Sequence, residues 1–161
     1  MTTFVGVYEF VVVDPESDAA VAAMTAYFDE LDDRFPSGFD PGDTLVTDAP
    51  TMRPPGGTFV IATDGADGTI AACGGVLTIG DGIGEIKRMW VAPGSRGRGL
   101  GRLLLTELEA RSRALGHHMV RLDTNSVLAE AIEMYDSAGY RPIERYNDNP
   151  FAQRWFEKRH T

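Results

Sequence analysis

Residues 85–105 read EIKRMWVAPGSRGRGLGRLLL, and the rest of the chain can be ordered around this stretch. It begins as a strand, stops at Pro93, passes through a glycine-rich turn and continues as the first turns of a helix. Such a turn leaves several backbone N–H groups unpaired at the end of the helix where the dipole is positive. Glycine also permits positive φ angles and lets a ligand approach without meeting a Cβ atom. The stretch therefore predicts a binding site for a phosphate or pyrophosphate group.

Three glycine-loop patterns can be compared with this turn. A phosphate-loop NTPase requires lysine and then serine or threonine after the last glycine, and no lysine follows the glycines here. A dinucleotide fingerprint beginning at Gly97 and Gly99 requires a third glycine where Arg102 stands. The pattern Arg/Gln-x-x-Gly-x-Gly/Ala is satisfied at every fixed position by residues 96–101. For this hexapeptide alone, an ordinary strand-to-helix turn with solvated arginines stays open as the alternative.

The composition limits the class of protein. Of the 161 residues, 43% are hydrophobic and 24% are charged, as in a soluble globular domain. The net charge of −9 argues against a nucleic-acid partner, because nucleic acids are bound by basic surfaces. The single cysteine, Cys73, fits a reducing compartment, and neither a leader pattern nor a membrane-length apolar run is visible. We therefore expect a cytoplasmic protein with no membrane partner.

Hydrophobic periodicity and turn residues predict an alternating order of strands and helices. A strand over Val5–Val13 is followed by a helix capped by Ser17 or Asp18, and then by an irregular segment from Phe35 to Pro55 that is either functional or a plain surface loop. The predicted elements after that segment are antiparallel strands over 57–63, 69–79 and 83–91, a helix from Leu100 to Leu115, a strand over Met119–Asp123, a helix capped by Asn125 or Ser126, and final strands over 140–146 and 153–158. The strands on either side of the Leu100 helix should be parallel, because only a helical crossover separates them.

This order, together with two motifs, resembles the GNAT family of N-acetyltransferases. The first motif is Arg96–Gly101 behind a strand that ends in Val-x-Pro, and the second is Ala131–Tyr140, which fits Ala-x-x-x-Tyr-x-x-x-Gly-Phe/Tyr. The resemblance implies one N-acetyltransferase domain over 1–161, with an α/β (α+β mixed) fold. It also implies a twisted mixed sheet of about seven strands, about four flanking helices and a V-shaped cleft.

The same resemblance implies acetyl-CoA as the co-substrate, with no metal. The pyrophosphate would lie on the backbone of the glycine loop, and the pantetheine arm would lie along the strand before it. The residues assigned in this way are Arg96, Gly97, Arg98, Gly99, Leu100 and Gly101 for the loop, and Met89, Trp90 and Val91 for the strand. Asn125 either contacts CoA or caps a helix, and Arg98 and Arg102 either contact phosphate or are solvated.

Two side chains are assigned to the chemistry by this resemblance. Tyr135 matches the family's tyrosine near the CoA sulfur, where a phenol can donate a proton, and its alternative is a core aromatic. Glu85 stands six residues before Val91, where several members carry a catalytic glutamate, and its alternative is a polar residue on a half-exposed strand. Cys73 is expected to be a small buried group, so transfer would be direct, in a ternary complex without an acetyl-cysteine.

The acceptor is left open by the sequence. The leading hypothesis is the primary amine of a small molecule. The alternatives are a protein lysine or N-terminus, and a non-catalytic acetyl-CoA sensor, while a homodimer is compatible with each of them. Arg53 and Arg88 could bind the carboxylate of an amino-acid acceptor, whereas the acidic composition points to a polyamine or another cationic amine. The segments expected to form the acceptor pocket are Phe35–Pro55 and Tyr146–Pro150.

Overall fold

The computed structural model describes residues 2–42 and 47–161. Within them the chain forms one eight-stranded sheet with the order β1-β2-β3-β4-β5-β6-β8-β7, and three α-helices. The strands are β1 Thr2–Val5, β2 Tyr8–Val12, β3 Thr58–Asp64, β4 Ile70–Gly80, β5 Ile83–Val91, β6 Met119–Thr124, β7 Arg141–Ile143 and β8 Arg154–Arg159. The helices are α1 Asp18–Arg34, α2 Leu100–Ala114 and α3 Ala129–Ser137.

The N-terminal segment forms two strands rather than the single strand predicted over Val5–Val13. Gly6 has a φ of +62° and turns the chain, so that β1 pairs antiparallel with β2. This hairpin brings the sheet to eight strands where about seven were expected. The next three strands agree with the prediction, because β3, β4 and β5 form an antiparallel meander.

The helices cover the two faces of the sheet, as the alternation along β4 requires. Cys73 and Leu77 pack with α1 on one face, whereas Ala72 and Val76 pack with α2 on the other. Helix α1 begins at a side-chain cap, since Ser17 Oγ accepts from the Ala20 N–H at 3.3 Å. Val21, which we assigned to its apolar stripe, is 41% exposed and lies on the outer side.

The parallel strands β5 and β6 separate soon after they meet. Their pairing ends at Glu85 opposite Arg121, although β5 continues to Val91 and β6 continues to Thr124. Beyond that point β6 pairs only with β8, so the facing edges of β5 and β6 diverge and open a cleft. The V-shaped opening implied by the resemblance is therefore present in the sheet.

The segment between α1 and β3 is irregular, as its prolines and glycines predict. Its described part contains a 3-10 helix over Ala49–Met52, and residues 43–46 lie outside the described residues. Helix α3 begins at Ala129, three residues later than a cap at Asn125 would place it and two residues later than a cap at Ser126 would. The Asn125 amide oxygen instead accepts from the Val127 N–H at 3.0 Å, which stabilises a turn before the helix.

Candidate active site

Two cavities meet at the point where β5 and β6 separate. One has a volume of about 660 Å³ and is lined by the glycine loop, and the other has a volume of about 720 Å³ and is lined by Glu85. We call them the loop cavity and the Glu85 cavity. The residues that line both are Tyr27, Leu31, Met89, Leu128, Ala131 and Tyr135. A molecule lying across Tyr135 would therefore reach from one cavity into the other.

The glycine loop has the geometry that an anion site requires. Gly97 and Gly99 have φ angles of +79° and +78°, and a Cβ atom added to either would meet no atom within 4 Å. The first hydrogen bond at this end of α2 runs from the Leu103 N–H to the Gly99 carbonyl at 3.2 Å. The N–H groups of residues 100–102 therefore precede the helical hydrogen bonds, and they lie at the positive end of the dipole. This backbone fits a pyrophosphate.

Arg96 is the loop arginine that contacts both β5 and α1. Its Nε donates to the Val91 carbonyl at 3.0 Å, and its Nη2 donates to Glu30 on α1 at 2.5 Å. Glu30 also accepts from the Trp90 indole at 3.1 Å. Burial raises the pKa of Glu30, but the hydrogen bonds from Arg96 and Trp90 outweigh it and hold the pKa below its ordinary value. These contacts fix β5, the loop and α1 relative to one another.

The other predicted phosphate ligands differ in their surroundings. Arg102 lines the loop cavity and donates to the Ser137 hydroxyl at 3.1 Å and to its carbonyl at 3.3 Å. Arg98 is exposed and does not line either cavity. Asn125 lines the Glu85 cavity rather than the loop cavity, and its amide donates to the Phe151 carbonyl at 2.8 Å. CoA contacts by Arg98 and Asn125 stay predictions, and the position of Asn125 favours its structural alternative.

The end of β5 carries a β-bulge at the cleft. Cys73 pairs with Trp90, and the next recorded pair is Gly75 with Lys87. Two residue steps along β4 therefore face three along β5, so β5 contains one extra residue. Arg88 lies in this bulge with a φ of +59°, and it is the only non-glycine residue with positive φ within residues 2–42 and 47–161. The three residues after the bulge, Met89, Trp90 and Val91, line the loop cavity, on the strand where the pantetheine arm was expected.

Glu85 is buried and held by side chains from a distant loop. It is 4% exposed. The Tyr146 hydroxyl donates to Glu85 Oε2 at 2.6 Å and the Asn147 amide donates to the same oxygen at 3.3 Å, while Lys87 Nζ lies 3.6 Å from Oε1. Glu85 is therefore a positioned carboxylate at the end of a cavity, and not a half-exposed strand residue.

Asn147 bridges the two strands just beyond the last β5–β6 pair. Its amide nitrogen also donates to Asp123 on β6 at 2.5 Å, and Asn149 donates to the other oxygen of Asp123 at 3.1 Å. The Trp155 indole N–H donates to the side-chain oxygen Oδ1 of Asn147 at 3.0 Å and so fixes the orientation of this amide. The sequence indicated residues 146–150 as a pocket segment, but it gave no signal that Tyr146 and Asn147 would contact Glu85.

Tyr135 is 6% exposed and lies at the junction of the two cavities. Its ring packs against Tyr140 and Phe156, with centroid distances of 5.8 Å and 5.9 Å. Burial raises the pKa of Tyr135 above its ordinary range, and the neighbouring Tyr27 and Asp123 add to that shift. The phenol therefore keeps its proton through the neutral range and can donate it.

The two arginines that could bind a substrate carboxylate lie in different places. Arg53 pairs with Asp14 at 2.7 Å and with Glu16 at 2.9 Å, and it lines neither cavity. Arg88 lines the Glu85 cavity and pairs with Asp48 at 2.5 Å. The described part of the predicted acceptor segments contributes further lining, with Phe35, Phe39, Asp40, Pro41 and residues 146–150.

Three other features bear on the chemistry. Cys73 is fully buried, and burial raises its pKa to about 12, so its thiol is not a nucleophile at neutral pH. Within the described residues, no group of three or more histidine, cysteine or acidic side chains could hold a metal ion. None of the helices in those same ranges is both long enough and apolar enough to cross a membrane.

Comparison with known proteins agrees with this geometry. Residues 24–140 match the model of the acetyltransferase (GNAT) family. An uncharacterized N-acetyltransferase of Schizosaccharomyces pombe is 38% identical over 109 residues, which are 67% of this chain and 66% of that protein. The IAA acetyltransferase of Azospirillum brasilense is 30% identical over 86% of this chain and 89% of its own length.

A solved structure supports the same fold. The GNAT acetyltransferase of Elizabethkingia anophelis with acetyl-CoA bound superposes with a TM-score of 0.69 at 14% identity, over 96% of this chain and 99% of that one. The mixed α/β sheet and the cleft are those of the acyl-CoA N-acyltransferase fold. The chain therefore belongs to the acetyltransferase (GNAT) family.

Proposed function

We propose that the protein transfers the acetyl group of acetyl-CoA to the primary amine of a small molecule, by direct transfer within a ternary complex. One observation carries the proposal. Tyr135 lines both cavities, one of which is lined by the glycine loop and the other by Glu85. This position supports a role for Tyr135 as the acid, between a co-substrate bound at the loop and an amine bound near Glu85 as the base.

The backbone of residues 97–102 would hold the pyrophosphate, and the backbone of residues 89–91 would hold the pantetheine arm. The open space beside Gly97 and Gly99 supports this, because a Cβ at either position would project into it. When bound there, acetyl-CoA supplies a thioester whose carbonyl carbon an amine can attack. A backbone N–H of β5 directed at the carbonyl oxygen would stabilise the charge that develops on it.

The two assigned side chains move protons in opposite directions. Glu85 accepts a proton from the incoming ammonium, directly or through one water molecule, so that the nitrogen lone pair becomes available. The nitrogen then bonds to the thioester carbonyl carbon, and Tyr135 donates its proton to the sulfur as the C–S bond breaks. The second proton of the nitrogen leaves through water and restores the Tyr135 phenol, and Glu85 releases its proton to solvent. The raised pKa of Tyr135 keeps the phenol protonated until the C–S bond breaks.

Direct transfer is favoured over a covalent intermediate. Cys73, the single cysteine of the chain, is fully buried, and its thiol donates to the Arg88 carbonyl at 3.3 Å. A small acceptor is favoured because a volume of about 720 Å³ is that of an ordinary small-molecule site. These points support the small-molecule hypothesis over a peptide acceptor.

The test is a thiol-release assay with acetyl-CoA and a panel of primary amines, lysine peptides and peptides with free N-termini. Varying both substrates should give intersecting double-reciprocal lines, as a ternary complex requires. Turnover of peptides alone would favour a protein acetyltransferase, and parallel lines would contradict direct transfer. Acetyl-CoA binding with no thiol release from any acceptor would favour a sensor.

A further inference from the structure

Part of the lining of the Glu85 cavity is an aromatic wall of four phenylalanines. Phe28 stacks on Phe39 with a centroid distance of 5.4 Å, and Phe39 lies 4.5 Å from Phe151. Phe35 packs against both Phe39 and Phe151, at 5.8 Å and 6.2 Å. All four phenylalanines line the cavity, and Phe39 and Phe151 are only half-buried. These rings offer an apolar aromatic surface against which another aromatic ring can pack.

Carboxylates outnumber cations along the lining of the same cavity. They are Asp40, Asp48, Glu85, Asp123 and Asp148, against Lys87, Arg88 and Arg121. A cavity with this excess attracts an ammonium group, and Glu85 and Asp123 lie where the two strands separate. The excess of carboxylates and the aromatic wall together fit an amine joined to an aromatic ring.

Arg88 is the cation whose contacts are incomplete. Lys87 lies beside Glu85 at 3.6 Å, and Arg121 donates to Glu157 at 3.2 Å while its guanidinium lies over the Tyr146 ring. Among residues 2–42 and 47–161, the Arg88 guanidinium donates one hydrogen bond, from Nη2 to Asp48 at 2.5 Å, although a guanidinium has five N–H donors. Its Nε is buried with no acceptor among the described residues.

Two separate costs therefore fall on this one residue. A non-glycine residue at positive φ carries a conformational cost, and Arg88 has a φ of +59°. A buried donor without an acceptor adds a further penalty. The side chain is only 12% exposed, and its guanidinium lies over the Phe28 ring at 5.2 Å. The bulge and the ring thus hold a donor-rich cation at the aromatic wall, which is the group that binds a carboxylate in a fork-shaped pair.

Resting on the function proposed above, we infer that the acceptor is an amine that carries both an aromatic ring and a carboxylate, as in an aromatic amino acid. The ring lies against the four phenylalanines, the carboxylate binds Arg88, and the amine faces Glu85. This assignment chooses between the two acceptor classes that the sequence left open, and it disfavours polyamines.

The experiment compares matched pairs of amines that differ only in the carboxylate: phenylalanine with phenethylamine, tyrosine with tyramine, and tryptophan with tryptamine. Alanine and spermidine complete the panel. In the wild-type protein, kcat/KM should be higher for the carboxylate member of at least one pair by about 10- to 100-fold, as expected for a hydrogen-bonded charge pair. Arg88→Met should reduce that ratio to near one, mainly by lowering turnover of the carboxylate member. Arg53→Met is the matched control, since Arg53 lines neither cavity, and it should leave the ratio unchanged.

A binding measurement separates this inference from turnover. Calorimetric titration with 3-phenylpropanoate, which has the ring and the carboxylate but no amine, should give a Kd that Arg88→Met weakens by about 10-fold or more. Arg88→Lys keeps the positive charge beside Asp48 but has no planar guanidinium, so its Kd should lie between those of the wild type and Arg88→Met. Because it keeps this charge, it should fold even if Arg88→Met does not.

Several results would overturn the inference. They are equal or better turnover of the member without a carboxylate in every pair, a preference for spermidine, or an Arg88 variant that lowers both members of a pair equally. If the protein acetylates other amines but none of the six compounds in the three matched pairs, the inference about the acceptor is wrong, although the proposed acetyltransferase function stands. Failure to acetylate any acceptor would remove the proposed function itself.

Discussion

The hydroxyl of Tyr146 donates a hydrogen bond to the carboxylate of Glu85 at 2.6 Å, across 61 residues of sequence. Tyr146 belongs to the loop between β7 and β8, whereas Glu85 lies on β5 at its last pair with β6. Burial raises the pKa of Tyr146 well above its ordinary range, and the charge of Glu85 and the hydrogen bond to it act in the same direction. The phenol therefore remains a donor to this carboxylate at every pH at which the protein would be assayed.

Tyr146→Phe should lower kcat/KM for the amine by about 10- to 100-fold, because a hydrogen bond to a charged group is lost at the base. The Kd for acetyl-CoA should not change, since Tyr146 does not line the loop cavity. Tyr140→Phe is the matched control, because its hydroxyl donates to Glu109 at 2.7 Å outside both cavities. Equal losses of kcat/KM in the two variants would show that Tyr146 acts only through stability.

Tyr135→Phe should lower kcat by about 100- to 10,000-fold, the usual range for loss of a positioned acid. The ring would keep its contacts with Tyr140 and Phe156, so acetyl-CoA binding should be retained. Because the pKa of Tyr135 is raised, the wild-type kcat should show no loss of this acid below about pH 10. Unchanged turnover in the variant would remove Tyr135 as the acid.

Stability should fall as the pH is lowered through 6.5, because burial lowers the pKa of His117 and of His160 from that value. Thr78 donates to the Gly56 carbonyl at 2.6 Å, so it must accept from His117 Nε2 at 2.8 Å. His117 Nδ1 is then an acceptor for the Ser112 hydroxyl at 2.9 Å, and that hydroxyl accepts in turn from His160 Nε2. Protonation of His117 would place a proton on Nδ1, so that this N–H and the Ser112 hydroxyl would both be donors in the same contact.

The sign follows from linkage. The pKa of His117 is lower in the folded than in the unfolded protein, so the unfolded chain takes up its proton first as the pH falls. The stability that neutral His117 contributes is therefore present above pH 6.5 and is lost as the pH falls towards the folded pKa. Denaturant unfolding between pH 7.5 and 5.5 measures it. A His117→Gln, His160→Gln double variant should have a flatter profile than the wild type, and an equally steep profile would contradict this account.

Local patterns were sufficient for the glycine loop, the meander and the parallel pair around α2. Each of these rests on periodicity, glycine positions or the length of one connection, which are properties of neighbouring residues. The Glu85–Tyr146 and Asn147–Asp123 contacts join loops to strands far along the chain, so no local pattern contains them. The bulge at Arg88 was equally hidden, because arginine does not favour positive φ and the surrounding strand has an ordinary composition.

Two predictions were wrong for a different reason: the single strand over Val5–Val13, which is a hairpin at Gly6, and the start of α3, which comes later than predicted. Val5–Val13 has strong strand propensity throughout, and one glycine within it did not distinguish a turn from a continuous strand. Asn125 has the preference of a helix cap, but its amide is engaged by the Phe151 carbonyl, a tertiary contact that overrides local propensity.

The central claim is that the loop holds acetyl-CoA, and calorimetric titration tests it most directly. Gly99→Glu and Gly68→Glu both replace a glycine of positive φ, +78° and +71°, that has no atom within 4 Å of an added Cβ. Each should therefore bear a similar backbone strain of about 1–2 kcal/mol, but Gly68 lies in the β3–β4 turn, outside both cavities. We expect the wild type and Gly68→Glu to bind acetyl-CoA equally, and Gly99→Glu to bind it about 100-fold more weakly, because a carboxylate then occupies the anion site. Equal binding by all three proteins, or no binding by the wild type at millimolar acetyl-CoA, would contradict the account.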